Sequence, residues 1–166
     1  MTTEMKIKFI HIILFIITLI IINSCERDDI CIDEITPRLV IRFYNNDNQV
    51  ETKNANLVSI RFVGIENDSI QQLSSSDSIA VPLKVTENLT QYILTINNND
   101  GSINRDTLTV NYEREDVFVG RSCGFKTIFN NTSHTLQTGS ENWILNIEST
   151  TQTIDNENNA HVKIFH

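Results

Sequence analysis

Proline and glycine are scarce in this 166-residue chain, at 2 and 5, and cysteine occurs three times. The shortage of glycine leaves no Gly-rich loop to cradle a phosphate, and neither a G-x-S-x-G nor a His-Glu-x-x-His pattern is present. Basic side chains are also in deficit, 13 against 21 acidic, for a net charge of −8. An acidic surface repels phosphate backbones, so no nucleic acid is expected as a partner. There is no internal repeat, no long linker and no convincing helical periodicity after residue 24. The long apolar run at residues 9–22, FIHIILFIITLIII, has fourteen residues. A bilayer-spanning helix needs about 20, so a tilted or mismatched anchor is the minority reading.

What is present begins with a leader. Lys6 and Lys8 form a short basic region, the apolar run follows, and Asn23-Ser24-Cys25 closes it. That order describes a secretory signal peptide over residues 1–24. Its end resembles the lipobox of bacterial lipoproteins: Ile22 fits the aliphatic −3 position, Ser24 the small −1 position, and Cys25 the lipid acceptor. Asn23 at −2 departs from the usual Ser or Ala. Acyl chains on Cys25, at about 0.8 kcal/mol per buried methylene, hold a protein on a membrane permanently. The alternative is a secreted protein with a free cysteine near its start. Glu26-Arg27-Asp28-Asp29 opens a tether, residues 25–36, that resembles the acidic surface-export signal of Bacteroidota lipoproteins. A plain solvated tether is the blander account. Cleavage before Cys25 leaves 142 residues with 11 basic and 20 acidic side chains, enough chain to bury a core without a metal.

With Cys25 acylated, Cys31 and Cys123 remain. An even pair in an oxidising compartment reads as one disulfide, closing a loop of about 90 residues. The competing reading is a reactive Cys123 with His134 or His161 as base, which no local basic cluster supports.

Residues 37–166 alternate as half-buried strands do. Leu39, Ile41 and Phe43 share one face of a strand at 37–44; Val58, Ile60 and Phe62 share another; Ile79, Val81, Leu83 and Val85 a third. Pro82 donates no ladder bond, which sends that third strand to an edge or a bulge. Tyr92, Leu94 and Ile96, then Leu108, Val110 and Tyr112, flank a hairpin turn at 97–102 that contains Gly101. Residues 117–119 and 125–129 give one or two more strands. Trp143, Leu145 and Ile147 pair with Val162 and Ile164 across a turn at 155–159. The expectation is an all-β, antiparallel β-sandwich, with an immunoglobulin-like arrangement as one form of it and a small β-barrel as the runner-up.

The candidates for chemistry are few. His161 and His166, five apart, fall on opposite faces of a strand and make a poor metal pair, so His161 is expected as an exposed strand residue. Asn98, Asp100 and Ser102 resemble a calcium loop superficially but lack its bidentate Glu. Neither a metal nor another cofactor is expected. Arg38 and Arg42, on one face of the first strand, with Arg121 and Lys126 near Cys123, form a candidate cationic ligand patch; pairing with surface carboxylates is the competing account. Tyr44, Tyr92, Phe118 and Trp143 are candidates for a sugar-stacking platform, against burial in core or rim. Asp68-Ser69-Ile70, Asp77-Ser78-Ile79 and Asp106-Thr107-Leu108 resemble the Bacteroidota O-glycosylation sequon.

Four segments carry a wider resemblance: residues 25–31 (CERDDIC), 36–44 (TPRLVIRFY), 121–126 (RSCGFK) and 156–166 (NENNAHVKIFH). Together they resemble a family of small Bacteroidota lipoproteins of unknown function. The resemblance implies a lipid-anchored domain and a Cys31–Cys123 pairing, and it implies no substrate or catalytic residue. The expected function is therefore that of a non-enzymatic binding or accessory module. It would sit on the outer membrane, on its surface if the tether is an export signal, with an envelope protein or a glycan as partner. The alternative is an envelope hydrolase with a dispersed carboxylate site, which adjacent acids of raised pKa in one cleft would reveal.

Overall fold

In the computed structural model the alternation of Leu39, Ile41 and Phe43 becomes strand β1 (Leu39–Tyr44), with all three side chains buried. Residues 8, 10–15, 31, 35–65, 70, 75–98, 100–137, 139 and 141–166 are described. The lipobox, the acidic residues after Cys25, Asp68, Ser69 and the side chain of Val58 lie outside them. The chain divides into two units, Met1–Cys31 and Ile32–His166. In the first, residues 10–15 are helical, with exposed apolar side chains. Among the described residues no helix is long and apolar enough to cross a membrane.

Among the described residues the second unit holds eight strands. After β1 come β2 (Leu57–Phe62), β3 (Ser78–Val81), β4 (Leu89–Asn97), β5 (Ile103–Gly120), β6 (Gly124–Leu136), β7 (Asn146–Ser149) and β8 (Val162–Phe165). They form two four-stranded sheets, ordered β3-β1-β8-β7 and β2-β4-β5-β6. The apolar faces of the two sheets supply one core: Ile41, Phe43, Val81 and Ile164 from the first, and Tyr92, Leu94, Leu108 and Val110 from the second. The protein is an all-β sandwich, and neither sheet closes into a barrel.

Several local expectations are refined by the geometry. Strand β3 lies at a sheet edge and ends before Pro82, which has no N–H to offer a neighbour. Ile79, Val81 and Leu83 are buried, but Val85 lies beyond the strand and is exposed. The β1–β8 pair is parallel, Ile41 opposite Val162 and Tyr44 opposite Phe165. No hairpin joins these two strands, so no tight turn imposes an antiparallel direction. In β2 a register shift between Leu57 and Ser59 breaks the strict period of two, so Leu57 and Ile60 are both buried.

The expected hairpin at 97–102 is present, with Gly101 at φ +82° and the Asn98 N–H donating to the Ser102 carbonyl at 2.8 Å. Residues 117–119 are not a separate strand. They continue β5, which runs for 18 residues. The β5–β6 ladder changes register between Asn111 and Glu113, where Asn131 takes φ +51°. Beyond that bulge the two strands extend past the last β4 partner, Asn111.

The segment before β7 also differs from expectation. Trp143 and Ile144 are both buried, and Leu145 is 61% exposed. The Ile144 N–H donates to the Asp106 carboxylate on β5 at 2.7 Å, while the Leu145 N–H donates to the Phe165 carbonyl on β8 at 2.9 Å. Consecutive backbone donors thus bond to opposite sheets. The chain crosses between the layers here, which interrupts the alternation.

Candidate functional site

The loop between β7 and β8 gathers more polar side chains than its turn requires. It is anchored from below by Ile154, fully buried, whose backbone exchanges hydrogen bonds with Phe129 on β6 at 2.8 and 3.0 Å. Local side-chain turns shape the rest. The Thr153 N–H donates to Thr151 Oγ1 at 3.1 Å, and the Asn158 N–H donates to Asn156 Oδ1 at 3.0 Å. Such short polar side chains satisfy backbone groups that no ladder reaches.

His161 sits beneath this loop and is buried, contrary to the exposed position expected of it. The reason is its complete bonding. Its Nδ1 accepts from the Val40 N–H at 2.9 Å, and its Nε2 lies 2.9 Å from the Asn156 carbonyl. A ring that accepts at Nδ1 carries its proton on Nε2, so the neutral tautomer that donates to Asn156 is fixed. Burial lowers the His161 pKa, opposed by the Asn156 carbonyl and by the charges of Glu157 and Asp155.

Arg38 closes the loop from the β1 side. Its Nε and Nη2 donate to the Glu157 carboxylate at 3.0 and 2.7 Å, and its backbone N–H donates to Glu157 Oε1 at 2.9 Å. That hydrogen-bonded pairing raises the Arg38 pKa and lowers that of Glu157. Lys126 Nζ reaches the Asp155 carbonyl at 3.3 Å. Two recesses flank the loop. One of about 350 Å³ is lined by Thr150, Thr151, Thr153, Asp155, Asn156, Asn159, Ala160 and His161. The other, about 210 Å³, is lined by Ile35, Pro37, Asn156, Glu157 and Asn158. Hydroxyls, amides and carboxylates at this density suit a polar, hydroxyl-bearing ligand.

Of the four cationic residues singled out from sequence, the structure brings Arg38 and Lys126 to this loop. Arg42 faces Asp77 at 3.6 Å, and Arg121 is exposed in the turn between β5 and β6. The four aromatics form no common platform. Tyr92 and Trp143 are buried, Tyr44 lies tilted against Phe165 with centroids 5.7 Å apart, and Phe118 is exposed near the hairpin end. Asp100 Oδ1 accepts from the Ser102 N–H at 2.9 Å and from its hydroxyl at 2.6 Å, a closed turn. Among the described residues no group of three or more His, Cys, Asp or Glu could hold a metal. Ser78 donates its hydroxyl to the Ile41 carbonyl at 3.3 Å, and Thr107 is half-buried on β5.

Cys31 and Cys123 are disulfide-bonded to each other, which removes Cys123 as a thiol nucleophile. Sequence reasoning missed a different pair: His134 Nδ1 lies 2.7 Å from Ser149 Oγ. The two are 15 residues apart on strands of different sheets, so no spacing reveals them. Burial, with a smaller contribution from His161, lowers the His134 pKa to about 4. Its Nε2 is buried without a partner among the described residues. An imidazole so reluctant to take a proton, with nothing to orient its second nitrogen, is a poor general base. Asp106 has a pKa raised by burial, and the backbone N–H groups of Ile144 and Trp143 engage its carboxylate. It ties the interlayer crossing to β5.

A family model described as a family of unknown function (DUF6452) matches residues 59–166. No curated protein and no solved structure matches the chain.

Proposed function

The chain belongs to this family of unknown function, and we propose that it is a lipid-anchored envelope protein with a non-enzymatic binding or accessory role. The observation that carries this reading is the leader ending in Ile22-Asn23-Ser24-Cys25, a basic start and apolar run followed by a cysteine where a lipobox requires it. The paired state of Cys31 and Cys123 supports an oxidising compartment outside the cytoplasm. The acidic tether supports export to the surface of a Bacteroidota outer membrane. On such a tether the domain offers its β7–β8 loop and the two recesses beside it to an envelope protein or a glycan. The cations Arg38 and Lys126 on that loop, with Arg42 and Arg121 elsewhere, are ligand contacts on this reading. A hydrolase is the less favoured alternative, because the raised carboxyl and the serine-bonded histidine are both held in structural bonds.

In-cell crosslinking of the full chain, tagged after His166 through a linker and purified beside a Cys25→Ala control, tests the role. A stoichiometric envelope partner or glycan captured with the parent and lost in the control is expected. Reproducible crosslinking controls with neither captured would overturn the accessory reading.

A further inference from the structure

We propose that the tip of the β5–β6 hairpin docks on the membrane surface that holds the acyl chains of Cys25, so that the domain meets the bilayer at two points. This inference rests on the lipid-anchor reading above. Past Asn111 the two strands leave β4 and pair with each other, from Glu113 opposite Asn130 to Gly120 opposite Gly124. Thr36 Oγ1, which accepts from the Thr127 N–H at 3.0 Å, braces this arm at its middle. At about 3.4 Å per residue the arm is about 24 Å long.

Its tip is apolar and cationic. Phe118 and Phe125 stand directly opposite each other on one face, ring centroids 5.3 Å apart, and are 58% and 69% exposed. A paired aromatic patch left in solvent marks a docking site. The stretch 117–125 contains no acid and includes Arg121 in the turn, in a chain with 21 acidic side chains. The carboxylates nearest in sequence lie back along the arm, where Asp116 accepts from Thr127 and Glu115 from Asn130. Paired aromatics beside an exposed arginine match the interface of a bilayer with anionic headgroups.

Covalent connectivity selects the bilayer over other occupants. Cys123 lies in the tip turn and is disulfide-bonded to Cys31, six residues after Cys25. Six extended residues span about 20 Å, and a disulfide adds about 6 Å between Cα atoms. The tip is therefore on a covalent tether of about 26 Å at most from Cys25, which leaves the bilayer that takes the acyl chains within its reach.

The test uses the full mature protein, isolated from membranes, weighed intact, and reconstituted into vesicles of phosphatidylethanolamine and phosphatidylglycerol. F118W and F125W each add a tip indole to the buried Trp143. The added emission should shift to the blue in vesicles and lose intensity when the acyl chains are brominated, while the parent stays unchanged. Red-shifted, unquenched emission from protein whose mass includes the acyl chains would overturn the docking alone, with a protein partner or residues 26–34 covering the tip instead. A mass lacking acyl chains would remove the anchor, and the docking with it.

Discussion

Acid should weaken this domain before any carboxylate pair is lost, and His134 is the main reason. Its imidazole is half-buried between the sheets, bonded to Ser149 at 2.7 Å through Nδ1, with Nε2 buried and unpartnered among the described residues. Burial and the neighbouring His161 bring its pKa from 6.5 to about 4. The unfolded chain takes up this proton near pH 6.5, whereas the folded chain resists until about pH 4. The folded pKa is the lower one, so the contribution is intact above pH 6.5 and lost as the pH falls. At pH 4.5 the loss from this residue is about 2.5 kcal/mol. His161 and His166, also lowered by burial, act in the same direction. Asp106, raised by burial, acts in the opposite one. Urea unfolding at pH 7 and pH 4.5, for the parent and His134→Gln, measures the effect. The parent should lose several kcal/mol, and the variant should lose about 2 kcal/mol less between the two pH values. A parent whose midpoint does not change, or a variant with the parent's full loss, would refute the reasoning.

Four further outcomes follow from the bonds described. His161→Ala should cost about 2–4 kcal/mol in chemical denaturation, because it strips the part-buried Val40 N–H and Asn156 carbonyl of their partner and opens a cavity. Glu157→Gln should cost under about 1 kcal/mol at pH 7, since the Arg38 pair is solvent-screened. The Glu157 pKa is lowered by that pair, so in paired denaturation curves this cost should vanish once the pH has fallen through the folded value. Tyr92→Phe should cost about 1–2 kcal/mol by the same assay, through loss of the hydroxyl that donates to the Pro82 carbonyl at 2.6 Å. Cys31→Ser with Cys123→Ser should lower the thermal midpoint and cost about 4.6 kcal/mol, since the closed loop is about 90 residues; calorimetry with and without reductant checks this.

The sandwich was legible where alternation was clean. Leu39, Ile41 and Phe43, and Leu108, Val110 and Tyr112, are buried on the faces their spacing implies. Legibility failed where a single residue altered the period. The shift near Leu57 buries two positions three apart. The divided bonding of Ile144 and Leu145 hides an interlayer crossing inside an apolar run. The length of β5 was hidden for another reason: Glu113, Arg114, Glu115 and Asp116 are exposed on both faces, which removes the period-two signal. At the candidate site, Arg38 could be named from sequence, but Glu157, 119 residues away, could not be assigned to it. His161 was misplaced because an isolated histidine beside a strand carries no sign of the two backbone groups that close over it.

Lipid anchoring at Cys25 is read directly from the intact mass of the protein extracted from the membranes of its own cell. The expected species is residues 25–166 with acyl chains on Cys25 and one disulfide between Cys31 and Cys123. An uncleaved leader, or a mature chain whose Cys25 carries no lipid, would contradict it.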